Sequence, residues 1–428
     1  MVSYRSFGMA APPAAMPLGV AAPAFRLPPP QWNDTAAPFP RLHALHELFE
    51  AVVRRRATAS ALLGPDGAVT YGELDARAAQ VADRLREMDL PPGATVAVRA
   101  APGPGLIAAL VGVLKAGGAY RVIDAPAGDG EAEAPTFEIE PPASAGDGAA
   151  RTLPPSDPER AGRDRPDPEG PACVLTETGS DGRTVEVVLP HRAITRLVFS
   201  PGFMEFGPAE TFLLSGSAAG ESSLLEIWAA LLHGGRLAIP ARRPASPAQL
   251  SAAVFTHRVT TLRADPETLD AAADDAPELL RGLRRALIDG PTAATAVLRR
   301  LADRLPDTAL LRVFGGAETA GPATFFPIQR LPADDRTRLP LGRPSRNVRA
   351  YVLDDRERPV AVGAAGRLYL GGPGVALGYR GRPDLNRERF VPDPGSADPS
   401  ARMFATGERV RFRPDGNLER VGRDGDPV

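Results

Sequence analysis

The chain is poor in several residue types, and each shortage excludes something. It has one cysteine, Cys173, in 428 residues, which rules out a disulfide within the chain and suits a reducing compartment. No apolar run approaches the roughly 18–20 residues that a membrane helix needs. The first residues lack a basic stretch followed by an apolar one, so no secretion signal is expected, and the expected location is the cytoplasm. An excess of either charge is missing too. The 50 basic and 52 acidic residues leave a net charge of −2, which gives no electrostatic footprint for nucleic acid. Lysine is nearly absent: of the 50 basic residues, Lys115 is the one lysine and the rest are arginine. Glycine (43), proline (47) and apolar residues (43%) are plentiful. The length argues for two or three structural units, each with a real core.

Residues 1–30 are Ala/Pro-rich without periodicity and are expected to be disordered. From 69 onward, TYGEL leads into a run in which Ala78, Val81, Ala82 and Leu85 recur at helical spacing. TVAVRA (95–100) alternates after Pro-Gly and predicts a strand. GLIAALVGVLKAGG (105–118) predicts a buried helix stopped by glycines, and YRVID (120–124) the next strand. Strand–helix–strand order predicts an α/β fold with parallel sheets covered by helices. Residues 125–171 are rich in Pro, Gly, Asp and Glu; they read as an eroded loop that shortens the sheet. Beyond it, EIWAALLHGG (226–235) predicts a helix, RLAI (236–239) a strand, and PELLRGLRRALIDG (277–290) a helix and a strand. Residues 340–428 hold short strands, and PDG between two alternating runs predicts a hairpin. The expected units are 1–40, a lead segment; 41–124 and 172–339, two αβ subdomains; and 340–428, a small β-rich subdomain.

Short signatures recur through the chain in a fixed order: WNDTA followed by LHELFE (32–50), TYGEL, LKAGGAYRVID (114–124), GRLYLGGPGVALGYRGRPDLNRERFV (366–391) and ATGER to GRDGD (405–426). In order and spacing they resemble the adenylation-domain core of nonribosomal peptide synthetases, in the AMP-forming acyl, aryl and amino-acid ligase superfamily. WNDTA with LHELFE resembles the connector that follows a condensation domain, so residues 1–40 contain an assembly-line connector on this resemblance. The chain stops at GRDGDPV, where such proteins have a hinge and a further subdomain, and that subdomain is expected to be absent.

The resemblance also implies site residues. The phosphate loop falls on ETGSDGRTVE (177–186). Gly179, Ser180 and Gly182 keep a turn whose backbone N–H groups suit an anion. However, Asp181 stands at a phosphate-contacting Thr position, Val185 at the Lys position and Glu186 at the closing Gly. A like charge at about 4 Å from a phosphate costs roughly 1–4 kcal/mol. Family members activate acids with two lysines, and Lys115 matches neither. Glu221 stands where an Asp pairs with the substrate α-amino group, and its extra methylene displaces that anchor. The pocket positions are Glu221, Ser222, Leu225, Arg263, Leu287, Asp289, Val313, Gly321 and Pro322. Their acids and base equally suit a closed salt-bridged pocket. In FGGAE (314–318), Phe314 keeps an adenine-stacking ring and Glu318 the Mg²⁺ ligand, while Ala317 replaces a Thr that meets the α-phosphate. Glu408 of ATGER stands where an Asp accepts the ribose hydroxyls. Arg423 is kept, but the hinge Asp is Gly425.

Scaffold signatures persist while ATP-contacting ones have drifted together. The expected function is therefore that of a pseudo-adenylation domain with no catalytic residue, serving as a structural or interaction module of an assembly line. No cofactor is expected on this reading. Condensation and carrier domains or an MbtH-like protein are the partners the resemblance implies. The alternative is an active AMP-forming core, using ATP and Mg²⁺ through Phe314, Glu318, Glu408 and Arg423, with its last subdomain supplied in trans.

Overall fold

The computed structural model describes residues 27–123, 137–139, 167–178, 184–290, 295–328 and 339–424. The helices are α1 (Leu45–Arg56), α2 (Tyr71–Glu87), α3 (Pro104–Lys115), α4 (His191–Phe199), α5 (Ser222–Leu232), α6 (Pro247–His257), α7 (Pro266–Asp275), α8 (Thr295–Arg304) and α9 (Pro383–Arg389). Local chemistry sets where they start. At α2 the Glu73 amide donates to Thr70 Oγ1 (3.2 Å) and the Thr70 amide donates to the Glu73 carboxylate (2.8 Å), a reciprocal cap. At α6 and α7 a proline follows Ser246 and Asp265, whose side chains accept the Gln249 and Thr268 amides.

Tyr71, Leu74, Ala78, Val81, Ala82 and Leu85 form the buried face of α2. That face lies on α3, which is buried from Leu106 to Leu114. The approach is close enough that a Cβ on Gly112 would sit 2.6 Å from Val81, so glycine is required there. Helices α1 to α5 share one apolar core with the strands of both large sheets, the main favourable term in folding.

Three sheets organise the described residues. In the nine-stranded sheet, Ser60–Gly64, Arg236–Ala238, Thr211–Leu213, Thr261–Ala264, Arg285–Ile288 and Ala309–Gly316 run parallel as successive neighbours, and antiparallel strands flank them. The six-stranded sheet has a parallel part made of Thr95–Arg99, Ala119–Ile123 and Pro171–Thr178, with Thr184–Pro190 antiparallel beside it. The third sheet is antiparallel and drawn from Arg349–Leu353, Gly366–Gly371, Phe390–Pro392, Arg402–Phe412 and Leu418–Arg423. This is the expected α/β architecture with a small β-rich C-terminal part, and the PDG turn joins the last two strands as a hairpin. Sheet membership cuts across the sequence segments. Ser60–Gly64 belongs to the nine-stranded sheet, while Gly378–Tyr379 pairs with Val187 and Val188 in the six-stranded one.

Two expectations need correction. Residues 125–171 are not without an element, because Phe137–Ile139 pairs parallel to Val96–Val98 and lengthens the sheet at its edge. Three residues suffice for a ladder and are too few for a readable period. Residues 277–280 form one 3-10 turn in place of a helix, ahead of the strand Arg285–Ile288. Residues 1–26 and most of 125–166 lie outside the described residues.

The WNDTA segment docks on the third sheet. Asn33 exchanges two hydrogen bonds with the Ala350 backbone (3.0 and 2.8 Å), copying a strand partner. Thr35 Oγ1 donates to the Val348 carbonyl at 2.6 Å. Trp32 packs on Phe412 with ring centroids 5.0 Å apart.

Candidate active site

The site lies at the carboxyl ends of the parallel strands in the nine-stranded sheet, where ligand crevices form in open α/β sheets. Glu221 immediately precedes α5, with no side-chain cap bond to it, and Ser222 is the first residue of the helix. Arg263 lies near the end of the strand Thr261–Ala264, and Asp289 follows Arg285–Ile288. Arg263 grips Glu221 with both arms of its fork, Nη1 to Oε1 at 2.9 Å and Nη2 to Oε2 at 2.6 Å. Nη2 also reaches Asp289 Oδ2 at 2.5 Å. Burial opposes the charge on Arg263, but Glu221 and Asp289 outweigh it and hold the guanidinium above its ordinary pKa. Gly321, at φ +98°, lies against this pair: a Cβ there would be 2.6 Å from Glu221 Oε1. The Pro322 carbonyl accepts from the fully buried Arg196 at 3.2 Å. Leu225, Leu287 and Val313 belong to the main apolar core. A cavity of about 480 Å³ opens beside Arg263, lined also by Ser215, Ser222, Asp265, Asp289 and Gly290.

On the nucleotide side the candidate groups are already engaged. Glu318 Oε1 accepts the Tyr379 hydroxyl at 2.7 Å. Glu408 takes Arg423 Nε at 2.9 Å on Oε1 and lies 2.5 Å from Arg420 Nε through Oε2, with its side chain 7% exposed. Phe314 packs against the apolar core of the third sheet. Glu186, on Thr184–Pro190, pairs with Arg121 and lies 3.7 Å from Arg380. Ala317 is buried beside Glu318. Lys115, the last residue of α3, pairs with Glu50 of α1 at 2.5 Å and Asp75 of α2 at 2.9 Å, so its ammonium ties three helices together. Gly179, Ser180, Asp181, Gly182 and Gly425 lie outside the described residues.

Two carboxyl groups at the site were not singled out from the sequence. Burial first, then the nearby Glu221 and Glu318, push Glu177 up to about 7, against the pull of Arg263. Burial pushes Glu226 on α5 up to about 8, against a hydrogen bond from Ser215 Oγ at 2.8 Å. The signal for Glu226 was its place inside the apolar run SSLLEIWAALL, and for Glu177 its place as the first residue of the phosphate-loop motif. Neither carries distance information.

Among the described residues, the donor set does not fit a magnesium triphosphate. No group of three His, Cys, Asp or Glu that suits a metal ion occurs among the described residues, and Glu318 alone makes a poor Mg²⁺ site. An apolar Val185 stands at the expected phosphate side, and the Glu186 carboxylate is next to it.

The family model described as "AMP-binding enzyme" matches residues 49–141 and 128–380, most of the chain. The chain belongs to the AMP-binding enzyme family. Within that family it is adenylation-domain-like, of nonribosomal peptide synthetase type. It is 34% identical over 425 residues to malpibaldin synthetase of Mortierella alpina, covering 93% of this chain and 8% of that protein. It is 30% identical over 410 residues to a linear gramicidin synthase protein of Brevibacillus parabrevis, covering 92% and 8%. The chain thus spans a small fraction of these curated relatives. Among solved structures, the nonribosomal peptide synthetase FmoA3 (S1046A) superposes with a TM-score of 0.81 at 28% identity, over 93% of this chain and 44% of that one. FmoA3 has also been solved in an AMPPNP-bound form. PA1221, a protein with adenylation and PCP domains, matches at TM-score 0.76 and 24% identity over 89% and 68%; it carries the fold alone.

Proposed function

We propose that this AMP-binding-family chain is a pseudo-adenylation module of a nonribosomal peptide assembly line, which has lost ATP-dependent amino-acid activation and serves as a structural or docking unit. The observation that carries the reading is the use of the single lysine. The charge developing at a reacting α-phosphate requires preorganised cations, usually the largest catalytic term. Here Lys115 is held by Glu50 and Asp75 among helices, while Val185 and Glu186 occupy the strand that follows the phosphate turn. The pairing of Glu408 with Arg420 and Arg423, and of Glu318 with Tyr379, supports it further. Condensation and carrier domains are the proposed partners, supported by the multidomain synthetases it resembles, with an MbtH-like protein as a further candidate. The test is calorimetry with ATP–Mg²⁺ alongside ATP–pyrophosphate exchange over an amino-acid panel. The expected result is no binding in the low micromolar range and no exchange. Micromolar binding with robust exchange would instead establish an active AMP-forming ligase.

A further inference from the structure

We propose, on the reading of this crevice as an adenylation-type pocket, that Arg263 is a resident cation occupying the amine-anchoring carboxylate, so that the native pocket admits no amine. Removing its guanidinium creates a site for a small organic cation between Glu221 and Asp289.

Several independent features point the same way. Both Glu221 oxygens face one guanidinium, at 2.9 and 2.6 Å. This is the bidentate geometry that makes an arginine–carboxylate pair strong and directional. The pair is withdrawn from water, with side chains 7% and 11% exposed. A charge pair in such a setting is costly to break, because the partner left behind stays buried and unpaired. The Gly321 backbone lies close on another side of Glu221: a Cβ built there would sit 2.6 Å from Oε1, which narrows the approach from that side. An incoming amine would also meet the positive charge of Arg263 at contact distance, where like charges repel.

The same geometry says what a vacated site would hold. Arg263 lies between Glu221 and the cavity of about 480 Å³. Without its side chain the cavity reaches toward two carboxylates that had shared one cation. Asp289, 44% exposed, stays at the mouth, and Ser215 and Ser222 line the wall. Two acids set to receive a planar fork favour guanidinium compounds over simple ammonium ions. The ligand class is therefore a monosubstituted guanidine, with primary amines weaker.

The test compares thermal unfolding of the wild type, Arg263→Ala and Arg263→Ala/Glu221→Gln, with methylguanidinium or methylammonium chloride at millimolar concentration and constant ionic strength. Arg263→Ala should gain a saturable rise of about 2 °C with methylguanidinium and less with methylammonium. The wild type and the double variant should show neither. An unresponsive folded Arg263→Ala, an equal response in the wild type, or an equal response in the double variant would each overturn the proposal. If Arg263→Ala does not fold in buffer, its refolding yield with methylguanidinium decides the matter: rescue supports the resident-cation reading, and no rescue sinks it. ATP plays no part in this assay, so a negative result concerns Arg263 alone, and calorimetry decides the nucleotide side separately.

Discussion

Glu226 keeps its proton to about pH 8 because burial disfavours the carboxylate. In an unfolded chain the same group ionises near its ordinary value of 4.5. The fold therefore holds a proton that unfolding releases, and stability falls as pH rises from about 4.5 to about 8. Glu177 adds a similar loss that ends near pH 7. Histidines act on the other side. Burial first, with Lys115 and Arg86 adding for His46 and His46 itself adding for His191, lowers the two to about 4 and about 3. The unfolded chain takes up those protons below about 6.5, so stability also drops as pH falls from there. Between about pH 4.5 and 6.5 the carboxyl and histidine contributions oppose each other, so the maximum should lie on the acid side of neutrality, and above pH 6.5 Glu226 should dominate the decline. Urea midpoints at pH 6.5 and 8 check this: Glu226→Gln should flatten the fall between them, and an unchanged slope would contradict the assignment. Which charged residues meet was only partly legible. The sequence put Glu221, Arg263 and Asp289 into one pocket because homologous positions could be counted from fixed motifs. Glu177 and Glu226 escaped, because their significance comes from burial and from neighbours on other strands.

At the scale of elements, the segment carrying Asn33 behaves as a short strand partner made from a side chain. Its amide satisfies both the N–H and the C=O of Ala350. Asn33→Ala should weaken this attachment by about 1–3 kcal/mol, since two partly buried backbone groups lose their partner. Hydrogen exchange at the Ala350 amide should accelerate roughly ten- to a hundredfold, with little change at Val96 in the six-stranded sheet. The helices α2, α3 and α5 were readable because their apolar periods are long and their ends carry caps or glycines. The strand Phe137–Ile139 was not, because three residues define no period. The 3-10 turn at Pro277–Leu280 looks like a helix in the sequence because Leu279, Leu280 and Leu283 give apolar spacing that one turn and a following loop satisfy equally well. The docking of WNDT had no local signal at all, since its partners are more than 300 residues away in sequence.

For the whole molecule, the separation between a kept scaffold and committed site groups bears on a host pathway. Glu318→Ala and Glu408→Ala should leave product formation nearly unchanged, because both side chains serve intramolecular contacts. Deleting the entire chain should lower product yield. Complementation with each variant, checked for folded abundance, separates the cases; loss of product in either folded variant would make the nucleotide side functional. The α/β plan and its small β-rich end were legible because strand–helix alternation is periodic. The crossing of strands between sheets was not, since pairing partners leave no mark in a single sequence. The Asn33–Ala350 contact also has a consequence in time. Its two residues are 317 positions apart, and a ribosome adds about 5–20 residues per second. Asn33 and Trp32 therefore leave the exit tunnel tens of seconds before their partners exist. A segment that emerges early is thus among the last to dock, and during translation it stays open to any chaperone or neighbouring domain that reaches it first.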